Sequence, residues 1–75
     1  MQVILKASNK SIIVDLYKDN ISKIVNKEIT VGEIVGCTVC TVKKRKPLYL
    51  TVTDIGHSYI GLQEGGEGTI YTLWL

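Results

Sequence analysis

The part of this 75-residue chain with the clearest potential for chemistry is a run of four cations followed by a proline. So many adjacent positive charges are incompatible with a core, so the run must lie on the surface. Two roles are open: contact with the phosphates of nucleic acid or with another polyanion, or a solvated hairpin tip that keeps the protein soluble. We call this run the basic segment; its residues are Lys43, Lys44, Arg45, Lys46 and Pro47.

Other basic and aromatic residues would complete an anion-binding site. Lys23 and Lys27 would add contacts to phosphates, and Tyr49 or Tyr59 would stack on unpaired bases. The alternative for both tyrosines is packing on a β-sheet, where aromatic side chains are common. The predicted site for nucleic acid or another anion comprises Lys43, Lys44, Arg45, Lys46, Lys23, Lys27, Tyr49 and Tyr59.

The remaining motifs predict no catalysis. Cys37 and Cys40 form a CxxC pattern, but an offset of three on a regular strand sends the sulfurs to opposite faces, which favours structural thiols over a metal or redox site. His57 is the single histidine, and no nucleophile or carboxylate is spaced to form a dyad with it. The glycine-rich segment 63–68 contains two glutamates that would repel phosphate, so we interpret it as a hairpin turn. We predict a non-enzymatic protein with no metal and no cofactor.

Charge is unevenly distributed along the chain. Residues 1–46 contain all nine Lys and Arg and four acidic residues, a net charge of +5, whereas residues 47–75 contain three acidic residues and no base, a net charge of −3. Opposite charges on different faces of one small domain would suit either the steering of an anion or head-to-tail contact between subunits. No apolar run approaches the roughly 20 residues of a membrane helix, so we predict a cytoplasmic protein without a membrane partner.

Length and composition predict one small β domain spanning residues 1–75. Ile, Val and Leu supply 25 of the 75 residues, and β-branched side chains favour strands. A domain of this size buries only about 60% of its unfolded surface. Two cysteines cannot provide a disulfide framework, so we expect additional support from self-association.

The pattern of apolar residues predicts an all-β fold, a small antiparallel sheet or barrel of about six strands. The basic segment forms the tip of a long central hairpin from Thr30 to Thr53, and Asp54 to Gly56 is expected to turn the chain. Residues 19–27 have apolar residues at helical spacing and would also fit a strand; we predict one short helical turn there. The predicted strands are 2–7, 11–17, 34–43, 48–53, 57–62 and 69–75.

Several predicted strands carry apolar side chains on both faces. Ile4 and Ile13 lie on the face opposite to Leu5 and Val14, and the last strand has large apolar groups on either side. Such a sheet lies under another layer or meets a neighbour, and such a strand is poorly suited to an exposed edge. We therefore predict a homo-oligomer formed through sheet edges or outer faces.

The middle of the chain resembles the oligonucleotide-binding barrel of RNA-binding ribosomal proteins. The residues that carry the resemblance are KEITVGEIVGCTVCTV, followed by GHSYIGLQEGGEG, about half of the chain. In that family a Gly-x-x-Val-x-Gly-x-Val strand is followed by an aromatic strand and a glycine turn. The resemblance implies a small β-barrel that binds single-stranded RNA, although this chain lacks Phe on the strand that would stack bases.

A second resemblance spans nearly the whole chain. VILKA, SIIVDLY and KEITVGEIVGC, with the β-pair after them, are similar in order and spacing to the tryptophan-activated RNA-binding attenuation protein family, whose antiparallel subunits close into a ring. The resemblance implies a ring with apolar contacts between subunits. That family's base-contacting lysine falls near Lys27 or Glu28, and its Lys-x-Arg pair falls on residues 50–53, where this chain has no base. We therefore carry over neither its RNA contacts nor its tryptophan site.

Two functions from different classes remain open. The first is a homo-oligomeric, non-enzymatic module that binds single-stranded RNA or DNA, or another polyanion, through the basic segment; the charge asymmetry favours it. The second is a small assembling protein, encoded by a phage or virus, that sequesters a small ligand or blocks a host protein. The short chain without catalytic groups favours this second function, in which the basic segment serves only solubility.

Overall fold

The structure, a computed structural model, describes residues 2–41 and 45–75. Within these ranges it contains six strands and one helix, which confirms the predicted all-β fold with one short helical turn near residues 19–27. No helix in the described ranges has the length and apolar character needed to span a membrane. The elements are β1 (Gln2–Lys6), β2 (Ser11–Leu16), α1 (Lys18–Val25), β3 (Ile34–Cys40), β4 (Arg45–Ile55), β5 (Tyr59–Glu64) and β6 (Ile70–Trp74).

The six strands form a closed antiparallel barrel in which neighbours in space are neighbours in sequence. The barrel closes where β6 pairs with β1, with Leu73 opposite Leu5 and Thr72 opposite Lys6. This up-and-down order differs from the Greek-key order of the oligonucleotide-binding fold, so the resemblance extends to a small antiparallel barrel and no further. β6, predicted to be poorly suited to an exposed edge, has no free edge, because it lies between β5 and β1. Self-association would therefore use the outer surface of the barrel.

Alternate residues of each strand point into the barrel and form one core. Leu5 and Val14 are buried while Ile4 and Ile13, on the opposite face, are exposed, and no polar or charged residue is buried in the described part of the chain. Burial of these side chains is the main favourable contribution to folding, at about 25 cal/mol per Å² of apolar surface. The core consists of Leu5, Val14, Leu16, Val35, Cys37, Leu50, Val52, Ile60, Leu62, Tyr71 and Leu73, together with Ile24 and Ile29.

The segment after β2 is a helix because its apolar residues recur about one turn apart and pack on the barrel. Ile24 is buried in the core cluster, Ile21 packs against it, and Ile29 from the following loop is buried in the same cluster. The side chain of Asn20 fixes the helix to β3 by accepting a hydrogen bond of 2.9 Å from the Gly36 N–H. We call the end of the barrel that α1 lies against, where β2 ends and β3 begins, the helical end.

The longest strand, β4, differs from its predicted bounds at both ends. It begins at Arg45, inside the basic segment, and continues to Ile55, so the turn expected at Asp54 is wrong. A change of register between Val52 and Asp54 marks a bulge, which absorbs an extra residue without ending the strand. Pro47 fits within β4 because β5 pairs with β4 only from Leu50 onward, which leaves the proline with a neighbouring strand on one side.

The core position of Leu50 gives a first test of the fold. Leu50→Ala removes a fully buried side chain and leaves a cavity, so we expect it to lower the free energy of unfolding by about 2–5 kcal/mol in urea denaturation. The control is Ile34→Ala on the neighbouring strand, where the side chain is 56% exposed and the loss should stay below about 1 kcal/mol. Equal losses for the two variants would contradict the assignment of inner and outer faces.

Candidate functional site

The structure places only part of the basic segment. Lys43 and Lys44 lie outside the described residues. Arg45 and Lys46 begin β4 and are both exposed, with Arg45 opposite Cys40 and Lys46 opposite Val39. Because side chains alternate along a strand, Arg45 points to the outer face of the barrel and Lys46 lies in line with the core residues.

Two further lysines lie at the same end of the barrel as Arg45. Lys6 ends β1 and Lys10 lies in the turn between β1 and β2; both are exposed, and the Lys10 Nζ is 5.9 Å from the centroid of the Tyr71 ring. The antiparallel order brings the β1–β2 turn, the start of β4 and the β5–β6 turn to one end, opposite the helical end. We call this end the basic end. It carries Lys6, Lys10, Arg45 and Lys46, with Glu64 and Glu67 at the β5–β6 turn.

The other two predicted lysines are not part of the basic end. Lys23 lies on α1 and Lys27 in the loop after it, so both belong to the helical end. The Nζ of Lys23 is 3.0 Å from the Oε2 of Glu33. Hydrogen bonds from Lys23 and then from Thr30 lower the pKa of the Glu33 carboxyl. Lys23 is thus engaged in a surface ion pair that joins α1 to the start of β3.

An exposed pair of tyrosines lies on the outer surface beside β3 and β4, nearer the helical end than Arg45 is. Tyr49 points outward opposite Gly36 and is 59% exposed, and Tyr17 follows the last residue of β2. Their rings meet edge to face, with centroids 6.3 Å apart and planes at 76°. A hydrogen bond to Tyr17, followed by the charge of that group, raises the pKa of the Tyr49 hydroxyl. We call Tyr17, Gly36 and Tyr49 the aromatic patch; the sequence predicted Tyr49 but not its pairing with Tyr17.

Gly36 provides the space in which these rings lie. A Cβ added to Gly36 would come within 2.6 Å of the Tyr17 ring and 3.3 Å of the Tyr49 ring. The backbone there is also fixed, because the Tyr17 N–H donates to the Gly36 carbonyl at 3.2 Å and the Gly36 N–H donates to Asn20. The aromatic patch is therefore positioned before any ligand binds.

Tyr59, the second predicted stacking residue, packs against other residues of the outer surface. Its ring is half-buried, lies over Gly56 and meets Trp74 at a centroid distance of 5.7 Å. Its hydroxyl donates to the Asp54 carboxylate at 2.7 Å, and this hydrogen bond, with the carboxylate charge, raises the pKa of Tyr59. Both the ring and the hydroxyl of Tyr59 thus already have partners, whereas Trp74 is 59% exposed.

Apolar side chains form a row across the outer surface of neighbouring strands. Ile4 lies opposite Ile13, and Trp74 lies opposite Tyr59. The pairing of Leu5 with Leu73 places Ile4 beside Trp74, so the row crosses from β2 over β1 to β6. We call Ile13, Ile4 and Trp74 the apolar row; each is about half exposed, which confirms the predicted apolar outer face.

The cysteine pair has the arrangement predicted from its spacing. Cys37 is buried in the core, where its thiol donates to the Leu48 carbonyl at 3.5 Å, and Cys40 is half-buried on the other face of β3. Burial, and then the nearby Cys40, raises the pKa of Cys37 to about 11, so its thiol stays protonated at neutral pH. Among the described residues no cluster of His, Cys, Asp and Glu is arranged to hold a metal ion.

The close approach at Gly36 leads to a second test. Gly36→Ala displaces the Tyr17 ring, so we expect it to lower the free energy of unfolding by about 1–3 kcal/mol, as overpacking does. Because the nearest atoms belong to Tyr17, the same substitution made in a Tyr17→Ala background should cost clearly less. A double-mutant cycle measured by urea denaturation checks this. An equal cost in both backgrounds would show that the ring is not what Gly36 accommodates.

Comparison with known proteins adds no further constraint on this surface. No protein-family model matches the sequence, and searches of curated proteins and of solved structures return no significant match.

Proposed function

We propose that the protein is a non-enzymatic module that binds single-stranded nucleic acid along the outer face of β4. The observation that carries this proposal is that Arg45 and Tyr49 share that face and are both exposed. Four residues of strand separate them by roughly 13 Å at 3.3 Å per residue, with the exposed Pro47 between them. The Arg45 guanidinium, which can bind a phosphate, and the Tyr49 ring, which can stack on a base, therefore lie along the same face of one strand.

The aromatic patch suits a base from a single strand better than a duplex. Stacking on an aromatic ring needs an unpaired base, which a duplex does not offer. The edge-to-face contact between Tyr17 and Tyr49 holds the Tyr49 ring while leaving it accessible at the surface. A preorganised ring loses little conformational entropy when the base binds, which favours affinity.

The charges of the basic end indicate which way a strand would run. Lys6, Lys10 and Arg45 attract phosphates, whereas Glu64 and Glu67 at the β5–β6 turn repel them. A bound strand would therefore leave the aromatic patch past Arg45 toward the β1–β2 turn. Lys23, Lys27 and Tyr59 remain sequence predictions that this path does not use.

Binding of a labelled 15-nucleotide single strand, followed by fluorescence anisotropy across a salt series, tests the function. Tyr49→Ala removes the stacking ring, so we expect binding to weaken by roughly 1–3 kcal/mol at every salt concentration. Arg45→Gln removes one phosphate contact, so the negative slope of log K against log salt concentration should become shallower by about 0.7. The matched control is Lys18→Gln at the helical end, which removes one charge and should leave the slope unchanged.

Three results would contradict the proposal. One is the absence of binding at low salt, and another is an affinity that does not change with salt concentration. The third is that Tyr49→Ala binds the oligonucleotide as well as the unmodified protein does. In that case heparin should compete equally with both forms, and the protein would be a general polyanion binder without base recognition.

We also propose that two copies associate through the apolar row. Ile13, Ile4 and Trp74 expose adjoining apolar surface on β2, β1 and β6. A two-fold arrangement would place this surface of one copy against the same surface of the other, which is how most homodimers pair. A small barrel gains stability from burying such a surface.

Sedimentation equilibrium tests this association. We expect Ile4→Lys to weaken self-association at least tenfold, because it places a charge in the centre of the apolar row. Ile34→Lys is the matched control, since Ile34 is 56% exposed against 53% for Ile4 but lies outside the row. Circular dichroism should show that both variants fold. A strictly monomeric unmodified protein, or equal weakening by the two variants, would contradict this interface.

A further inference from the structure

A pocket of about 250 Å³ lies at the helical end of the barrel, between the end of α1, the loop after it and the turn between β4 and β5. Benzene fills an engineered cavity of about 150 Å³, and larger ligands occupy roughly 300 Å³ or more, so this pocket has room for a small organic molecule. Its walls are mainly aliphatic. The apolar lining comes from Ile24, Ile29, Ile55, Ile60 and Leu75.

The polar side chains that line the pocket are both basic. They are Lys27 from the loop after α1 and His57 from the β4–β5 turn, and no side chain among the described lining residues is acidic. Ile24, Ile29 and Ile60 are almost completely buried, so they form an apolar floor behind the two basic groups. Charges interact more strongly beside such a low-dielectric region than in open water. An apolar molecule with one anionic group matches this distribution.

The backbone at Lys27 provides a second, independent observation. The helix ends in a Schellman motif, in which the Glu28 N–H donates to the Lys23 carbonyl at 2.8 Å and the Lys27 N–H donates to the Ile24 carbonyl at 3.2 Å. The left-handed position of this motif is usually occupied by glycine, but here it is occupied by Lys27, which has a φ of 57°. Residues that break a local rule at a cost in stability are concentrated at functional sites.

We propose that this pocket binds a small apolar carboxylic acid, with its carboxylate beside Lys27 and His57 and its hydrocarbon part against the isoleucines. A carboxylate fits better than a phosphate, because the apolar walls make it costly to remove a second charge from water. The strained lysine is explained by this role, since its side chain supplies the cation at the mouth of the pocket. The pocket and the basic end lie at opposite ends of the barrel, so this site does not rest on nucleic-acid binding.

Three probes with the same eight-carbon chain test the selection for an anion: octanoate, octanol and octylamine. Isothermal calorimetry gives the affinity, and the fluorescence of Trp74, the single tryptophan and the neighbour of Leu75, reports binding near the pocket. We expect saturable binding of one octanoate per chain and at least tenfold weaker binding of octylamine. Octylamine binding as tightly as octanoate, or no saturable binding of octanoate at millimolar concentration, would overturn the proposal.

The variant Lys27→Gly distinguishes an effect on ligand binding from an effect on the stability of the fold. Glycine adopts the left-handed conformation without strain, so the variant should unfold at a higher urea concentration than the unmodified protein and yet bind octanoate at least tenfold more weakly. Lys18→Gln, with the same loss of charge on the first residue of α1, should keep the affinity for octanoate. Unchanged octanoate binding by Lys27→Gly would overturn the proposal.

A filling substitution gives an independent check. Ile55→Trp introduces a large side chain at the 41% exposed rim of the pocket, so it should abolish octanoate binding without disturbing the core. Oligonucleotide binding by Ile55→Trp, which changes no charge, should stay unchanged, which distinguishes failure of this site from failure of the nucleic-acid proposal. Octanoate binding that survives Ile55→Trp would place the ligand elsewhere and overturn the assignment.

Discussion

Pairing of β6 with β1 is the constraint on which the rest of the structure depends. Leu5 opposite Leu73 joins the two ends of the described chain and turns a six-stranded sheet into a barrel without free edges. Closure directs every second side chain into a single core, which a chain of this size needs in order to fold. It also leaves only the outer surface and the two ends of the barrel for binding, and those ends differ because α1 lies against one of them.

Glycines determine where aromatic rings lie on the outer surface. Gly36 and Gly56 each lie beneath a tyrosine ring, because a side chain at either position would occupy the same space. The two tyrosines differ in how accessible their rings are. Tyr59 is held by Asp54 and covered by Trp74, whereas Tyr49 touches Tyr17 by an edge and stays accessible. Two similar tyrosine–glycine contacts thus yield one ring that packs against its neighbours and one ring that stays exposed.

Much of the fold follows from local sequence patterns, but the assembly of the candidate sites does not. The period of two in residues such as Leu50 and Val52 predicts which face is buried, because a strand has only two faces. The extension of β4 past Asp54 depends on a bulge, and the closure of the barrel depends on residues distant in sequence, so neither is visible in a short window. Lys27 is a clear case: its charge is evident, but its left-handed backbone and its pocket arise only from the end of α1.

The two thiols offer chemically distinct handles on the same strand. The high pKa of Cys37 and its burial protect it from alkylation in the folded state, while Cys40, half-buried on the other face of β3, is the thiol that a maleimide reaches. Cys40 lies opposite Arg45, so a fluorophore attached there would report on the basic end without any substitution. Labelling of Cys37, in contrast, would require the barrel to open, and its rate would measure how often β3 and β4 separate.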